Sequence, residues 1–143
     1  MATDELLTRA MPHSAEAEQA VLGSMLIDAD CVKDVMDQLQ AGDFYLRQNR
    51  EIFETIAHMF VYSQPVDGVT VANEMEKSGH YNEGTRPYLL QLMEVTPTSA
   101  NVGEYVKIVR DKALARQVAY AASNITAMVQ EGGASAADML EAA

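Results

Sequence analysis

Residues Pro97–Gln130 read PTSANVGEYVKIVRDKALARQVAYAASNITAMVQ, and their periodicity decides the fold. At 3.6 residues per turn, Val102, Tyr105, Val106, Val109, Ala113, Val118, Ala121, Ile125, Met128 and Val129 line one apolar stripe, while Glu104, Asp111, Lys112 and Gln130 fall largely off it. This pattern predicts a helix. Pro97 prevents it from continuing an upstream helix, Ser99 or Asn101 can cap its first free amides, and Gly132-Gly133 stands where a helix ends. About 30 residues make a rod ~45 Å long, roughly as long as a small domain is wide. Part of the helix must therefore project, and its apolar stripe needs a second surface. That makes the segment the leading candidate for self-association or partner docking.

Working back from this helix, the upstream chain carries helical signals throughout. Ser14 stands as N-cap, with Glu16 and Glu18 in the first turn of a helix that buries Ala17, Val21, Leu22, Met25 and Leu26. Gly23 inside it costs about 1 kcal/mol relative to alanine and implies close approach by another helix. Asp28 or Asp30 caps a second helix with Val32, Val35, Met36 and Leu39 inward, closed by Gly42. After the aromatic corner Asp43-Phe44-Tyr45, a third helix from about Arg47 to Tyr62 turns Ile52, Phe53, Ile56, Met59 and Phe60 inward, as the centre of the core. Thr70 is placed to cap a fourth helix that buries Val71, Ala72 and Met75 and ends at Gly79. Pro87 is placed to begin a fifth, with Leu89, Leu90, Leu92 and Met93. No strand-length alternation competes, so the fold class is all-α. The organisation expected is a flexible N-terminal tail over residues 1–11, a globular helical head of about five helices over 12–96, and a helical hairpin over 97–143. The hairpin's second helix starts after Ser135, with Met139 and Leu140 on one side, and reads as truncated.

At 143 residues the chain is one domain's worth. It has no stretch approaching the ~18 apolar residues of a membrane span and no signal pattern at Met1–Ser14, which reads as a cytoplasmic protein. Ten basic residues against 21 acidic ones, a net charge of -11, argue against a dedicated nucleic-acid binder and point to protein partners. The cations are uneven, however. Lys107, Arg110, Lys112 and Arg116 cluster on the long helix, separated by only one acid, Asp111, either as a possible basic face for phosphate or as a solvated face answering an acidic neighbour.

The search for chemistry is mostly negative. Residues Gly79–Thr85 have the glycine spacing of a phosphate loop, but Thr85 and Arg86 stand where lysine and a magnesium-binding hydroxyl are needed. Asp28, Asp30 and Asp34 begin like a calcium loop, yet Leu39 replaces the closing glutamate. His13, His58 and His80 are isolated in sequence, and the lone Cys31 reads as a small buried apolar residue. No catalytic, cofactor or metal set emerges.

Several blocks in order resemble the N-terminal domain of DnaB-type bacterial replicative helicases: Pro12–Gly23 (PHSAEAEQAVLG), Asp43-Phe44-Tyr45, Asn49–Phe53, Pro65-Val66-Asp67 with Val69-Thr70, Pro97–Asn101, and Tyr105 with Ile108–Lys112. The resemblance covers roughly residues 12–143. One departure is Gly84-Thr85-Arg86-Pro87 before Tyr88-Leu89, where the family usually carries a glycine pair. The resemblance implies a non-catalytic assembly and primase-docking domain of a hexameric, ATP-driven DNA-unwinding ring. Its paired hairpins would form a collar of three dimers. ATP and magnesium would belong to a motor domain absent from this chain, and DNA contacts by the fragment would be weak or absent. Val118, Ile125, Met128 and Val129 become candidates for hairpin pairing or primase contact, with Glu16 and Tyr88 as weaker candidates on the head. Each is read equally well as packing within its own protomer. Two other classes stay open: the helicase-binding helical domain of a primase, which shares this fold, and a helical module binding single-stranded DNA weakly through Lys107–Arg116.

Overall fold

The computed structural model describes residues 10–132 and 135–142, and every regular element among them is helical. The order is α1 (Ala15–Ile27), α2 (Val32–Gln38), α3 (Arg47–Val61), α4 (Gly68–Ser78), α5 (Thr85–Glu94), α6 (Val102–Glu131) and α7 (Ala136–Ala142), with 3₁₀ turns at Ala29–Cys31 and Ala41–Asp43. Most of the tail expected over 1–11, and Gly133 of the expected stop, lie outside the described residues.

The core gathers on α1 rather than α3. Ser14 Oγ accepts from the Ala17 amide at 3.1 Å to start α1, and the unbroken run Val21–Leu26 is buried on all sides. A helix apolar all round is enclosed rather than laid on one face, and α1 touches α2, α3, α5 and α6. The small residues Gly23 and Ser24 let its neighbours in. A Cβ on Gly23 would overlap Thr96 Oγ1 and the Leu92 carbonyl oxygen, so the close approach expected there is that of α5 and the residues just after it. α3 supplies Ile52, Phe53, Ile56 and Met59, but Phe60, expected inward, is exposed.

Local details of the caps differ from the sequence reading for physical reasons. Asp28 caps the 3₁₀ turn that feeds α2, accepting from the Asp30 amide at 3.1 Å. Gly42 does not close α2: the buried Leu39 leaves the helix in an extended conformation to reach the core, and Gly42 falls inside the second 3₁₀ turn. α4 is capped by Asp67, with Thr70 three residues on returning a bond to the Asp67 amide. α5 starts at Thr85, whose hydroxyl accepts from the Asn82 amide at 3.0 Å, so Pro87 is its third residue, where the missing N–H still costs nothing. Leu90, expected inward, is exposed.

α6 has two halves. Val106, Val109 and Ala113 are buried against the head, Val102 and Tyr105 pack at its edge, and the last buried residue is Arg116. From there to Gly132, which ends the helix in the left-handed region at φ 68°, no residue is buried. Ser135 then caps α7, its Oγ accepting from the Asp138 amide at 3.2 Å.

Candidate interaction surface

Arg116 marks where the head lets go of α6. Residues 109, 113 and 116 share one face of the helix, so its guanidinium enters the packed side with Val109 and Ala113. There Nη1 donates to the Pro12 carbonyl at 2.8 Å and Nη2 to the Asp43 carbonyl at 2.6 Å, and the group lies 5.4 Å from the Tyr45 ring centroid. His13 stacks on the same ring at 4.3 Å and binds the Met11 carbonyl through Nδ1. The entry to α1, the aromatic corner and α6 are thereby fastened at one point.

Beyond that clasp the apolar residues do not continue the stripe expected from the sequence: Val118, nine residues past Val109, falls about 180° round the helix from it, so Val118, Ile125 and Val129 occupy the face opposite the one packed on the head. Val118 is 70% exposed and Val129 58%, and Ile125 and Met128 are half-buried. Spaced seven and four apart, Val118, Ile125 and Val129 form a seam along one side of a rod, the pattern by which two helices interlock. On α7, Leu140 is exposed and Met139 half-buried.

The head candidates sit elsewhere. Glu16 lies exposed in a groove between α1 and α6 with Val95, Tyr105 and Ile108. Tyr88 is half-buried in a second groove, between α3 and the segment from Gly79 to Thr85, and Gln19 lines both. Burial, with a smaller push from the Glu18 carboxylate, holds the Tyr88 hydroxyl above its ordinary value of 10.0, so at neutral pH it is a donor, bonded to Asn49 Oδ1.

Behind Tyr88 lies a polar group whose importance the sequence reading missed. Glu18 is buried, and its carboxylate accepts from the Tyr45 amide at 2.8 Å, the Leu46 amide at 3.3 Å and Asn49 Nδ2 at 2.9 Å. It serves the mouth of α3, whose N-cap position is Leu46, a residue with no side-chain acceptor. That leucine is the available signal, since a helix whose N-cap residue carries no side-chain acceptor leaves its first amides to be met from elsewhere.

The four cations do not form one basic face. Lys107, Arg110 and Lys112 are exposed, but Arg116 is buried in the clasp. Lys107 lies 3.5 Å from Glu104, Arg110 donates to the Gln38 carbonyl at 3.4 Å, and Asp37 and Asp111 share their groove. Among the described residues no group of three or more His, Cys, Asp or Glu side chains is placed to hold a metal ion, and no described helix is long and apolar enough to cross a membrane.

Cys31 is buried, as its sequence context suggested. Burial, then the Asp28 carboxylate, pushes its thiol from 9.0 to about 11. Its reaction with an aromatic disulfide at pH 8 is expected to run roughly 100-fold slower in the folded chain than in urea, the ratio of the two thiolate fractions. Because the folded value is the higher one, the thiol's contribution to stability is complete below pH 9 and is lost as pH rises from 9 to about 11. Equal rates in the two states would show that the thiol is open to solvent.

A family model described as the DnaB-like helicase N terminal domain matches residues 10–111. The replicative DNA helicase DnaB of Mycobacterium leprae is 40% identical over 136 residues, covering 93% of this chain and 22% of that protein. That of Leifsonia xyli is 37% identical over 121 residues, covering 84% and 26%. The chain thus spans about a quarter of the length of these relatives. Among solved structures, the N-terminal domain of DnaB helicase from Mycobacterium tuberculosis aligns with a TM-score of 0.87 at 36% identity, covering 92% of this chain and 94% of that one. The N-terminal domain of the Helicobacter pylori DnaB helicase, described together with its interactions with primase, shares the fold with a TM-score of 0.71 at 19% identity over 90% and 95%.

Proposed function

Because this chain belongs to the DnaB-like helicase N-terminal domain family, we propose that it is the non-catalytic assembly and primase-docking module of a hexameric replicative DNA helicase, at work in DNA replication. The observation that carries this reading is the far half of α6, a helix that outruns its own head with Val118 and Val129 open on an apolar seam. Paired through that seam and through Ile125 and Met128, two copies form the dimer from which the ring's collar is built. The primase interactions of the Helicobacter pylori relative support a docking role, for which the Glu16 and Tyr88 grooves and the α7 side of the hairpin are the surfaces at hand. In this reading nucleotide, magnesium and DNA are handled by the part of the relatives' length that this chain does not span. The module itself takes no cofactor, contacts DNA weakly at most, and works in the cytoplasm.

Sedimentation equilibrium across a concentration series tests the pairing. The chain is expected to form a dimer or larger species that Ile125→Asp dissociates, with the helical circular dichroism and melting temperature retained. A monomer at every concentration, unchanged by the substitution, would remove the assembly claim and leave primase docking to be settled by direct titration of primase against the chain and its Glu16→Lys variant.

A further inference from the structure

We propose that Arg116 aims the projecting half of α6, and that its clasp, rather than the apolar packing before it, sets the angle at which the seam is presented to a second copy. The proposal rests on the reading that copies of this chain pair through α6, and it assigns a positioning residue to that pairing.

The near half of α6 is held to the head by Val106, Val109 and Ala113. Ridge-into-groove packing of such apolar side chains defines a crossing angle only to within roughly 15–20°. Arg116 follows them as the last buried residue of the helix, and its contacts are directional. The guanidinium donates at 2.8 Å to the Pro12 carbonyl, just ahead of α1, and at 2.6 Å to the Asp43 carbonyl, in the 3₁₀ turn ahead of α3. A planar fork that grips two separate segments at once fixes tilt and rotation together. Arg110 gives no comparable hold: it is exposed, reaches the Gln38 carbonyl at 3.4 Å, and lies more than a turn nearer the start of the helix.

The clasp matters because everything past it is a lever. Val129 stands ~20 Å beyond Arg116 along the axis, so a tilt of about 10° at the clasp displaces it by ~3 Å, over half the ~5.4 Å of one turn. Interlocking side chains need a finer register than that. Paired helices commonly secure register and orientation with charged side chains flanking the apolar seam, yet Gln117–Gln130 carries no Asp, Glu, Lys, Arg or His. The seam also faces away from the head, so the head's own surface does not guide an approaching copy. Alignment is left to the way the helix is held at its root, and Arg116 is the directional part of that hold.

The test separates aim from pairing. In the full chain carrying Cys31→Ala and the pairing-blocked Ile125→Asp, spin labels on Glu54→Cys in the head and Asn124→Cys on α6 report the angle of the rod in a single copy by pulsed electron double resonance. Labels on Glu54→Cys and Lys77→Cys report the head alone; all three sites are exposed. With Arg116 in place the first pair should give one narrow distance. Arg116→Met keeps the stem and loses the donors, and should shift or broaden that distance by ~2 Å or more, the displacement a ~10° tilt produces at residue 124. The second pair should not change. Arg116→Lys, with one donor centre in place of the fork, should fall between. With Ile125 restored, Arg116→Met should weaken self-association ~10-fold in sedimentation equilibrium. A first-pair distance indifferent to Arg116→Met overturns the proposal, and so does a displaced rod whose association is unchanged. Should Arg116→Met disturb the second pair as well, the head itself is damaged, and Arg116→Lys takes its place under the same criteria. A parent chain that never associates sinks the pairing reading instead, and the distances alone then decide whether Arg116 aims the helix.

Discussion

Glu18→Ala is expected to destabilise the head by about 3–5 kcal/mol, seen as a fall in melting temperature of roughly 10 °C or more. The side chain is enclosed, and its removal strands three donors at once: the Tyr45 and Leu46 amides and Asn49 Nδ2. The damage spreads, because Asn49 is itself buried and receives the Tyr88 hydroxyl, and because Tyr45 is the ring on which His13 stacks and over which Arg116 lies. Glu18→Gln separates shape from acceptance. It fills the same space but turns one acceptor into a donor facing donors, so it should fall between wild type and alanine. A Glu18→Ala chain melting within 2 °C of wild type, a shift of well under ~1 kcal/mol, would mean that these bonds contribute little.

The second large effect is expected at Gly23. Alanine there gains about 1 kcal/mol of helix propensity, yet its methyl meets the Leu92 carbonyl oxygen and Thr96 Oγ1, and the carbonyl can move only if α5 moves. A net loss of about 2–3 kcal/mol follows for Gly23→Ala, and Gly23→Val is expected not to fold at 37 °C. Thr96→Ala in the same chain should restore part of the loss, since it clears the hydroxyl and leaves the carbonyl. That hydroxyl is buried without a hydrogen-bond partner, so its removal alone costs little. Gly103→Ala on α6 is the control: nothing lies within 4 Å of its Cβ, and it should stabilise by up to ~1 kcal/mol. Denaturant melts of these variants beside the parent chain decide the matter, and a neutral Gly23→Ala would refute the close packing.

The fold was legible where one residue type settles a local choice. The length of α6, the Ser14 cap, the Gly79 stop and the tight approach at Gly23 are each readable because a short-range rule acts with no competitor, whereas the single apolar stripe expected along α6 divides into two opposite faces at Arg116. Misreadings arose where tertiary packing overrode a local signal. Leu39 leaves α2 early to reach the core, so Gly42 caps nothing, and Phe60 and Leu90 stand exposed although their spacing fits the inward face. Arg116 clusters with Lys107, Arg110 and Lys112 along the chain but not around the helix, where it shares the buried face of Val109 and Ala113. Glu18 stands in a first turn, where the helix dipole alone accounts for an acid, and nothing in that turn announces that the amides it serves lie 27 and 28 residues away.

The far half of α6 has a consequence for how assembly proceeds. Beyond Arg116 the helix runs about four turns with no buried residue and, among the described elements, with α7 as its neighbour, and it carries Val118, Thr126, Val129 and other residues that are indifferent helix formers. A segment of that length is near the limit at which a helix holds together in water by itself. Its winding and its cover are therefore one equilibrium: the partner that buries the seam also sets the helix–coil balance, and part of the contact free energy goes into ordering the strand that makes the contact. Pairing should accordingly be weaker than its area suggests and steeply temperature-dependent, with amide exchange across these turns slowing as copies associate.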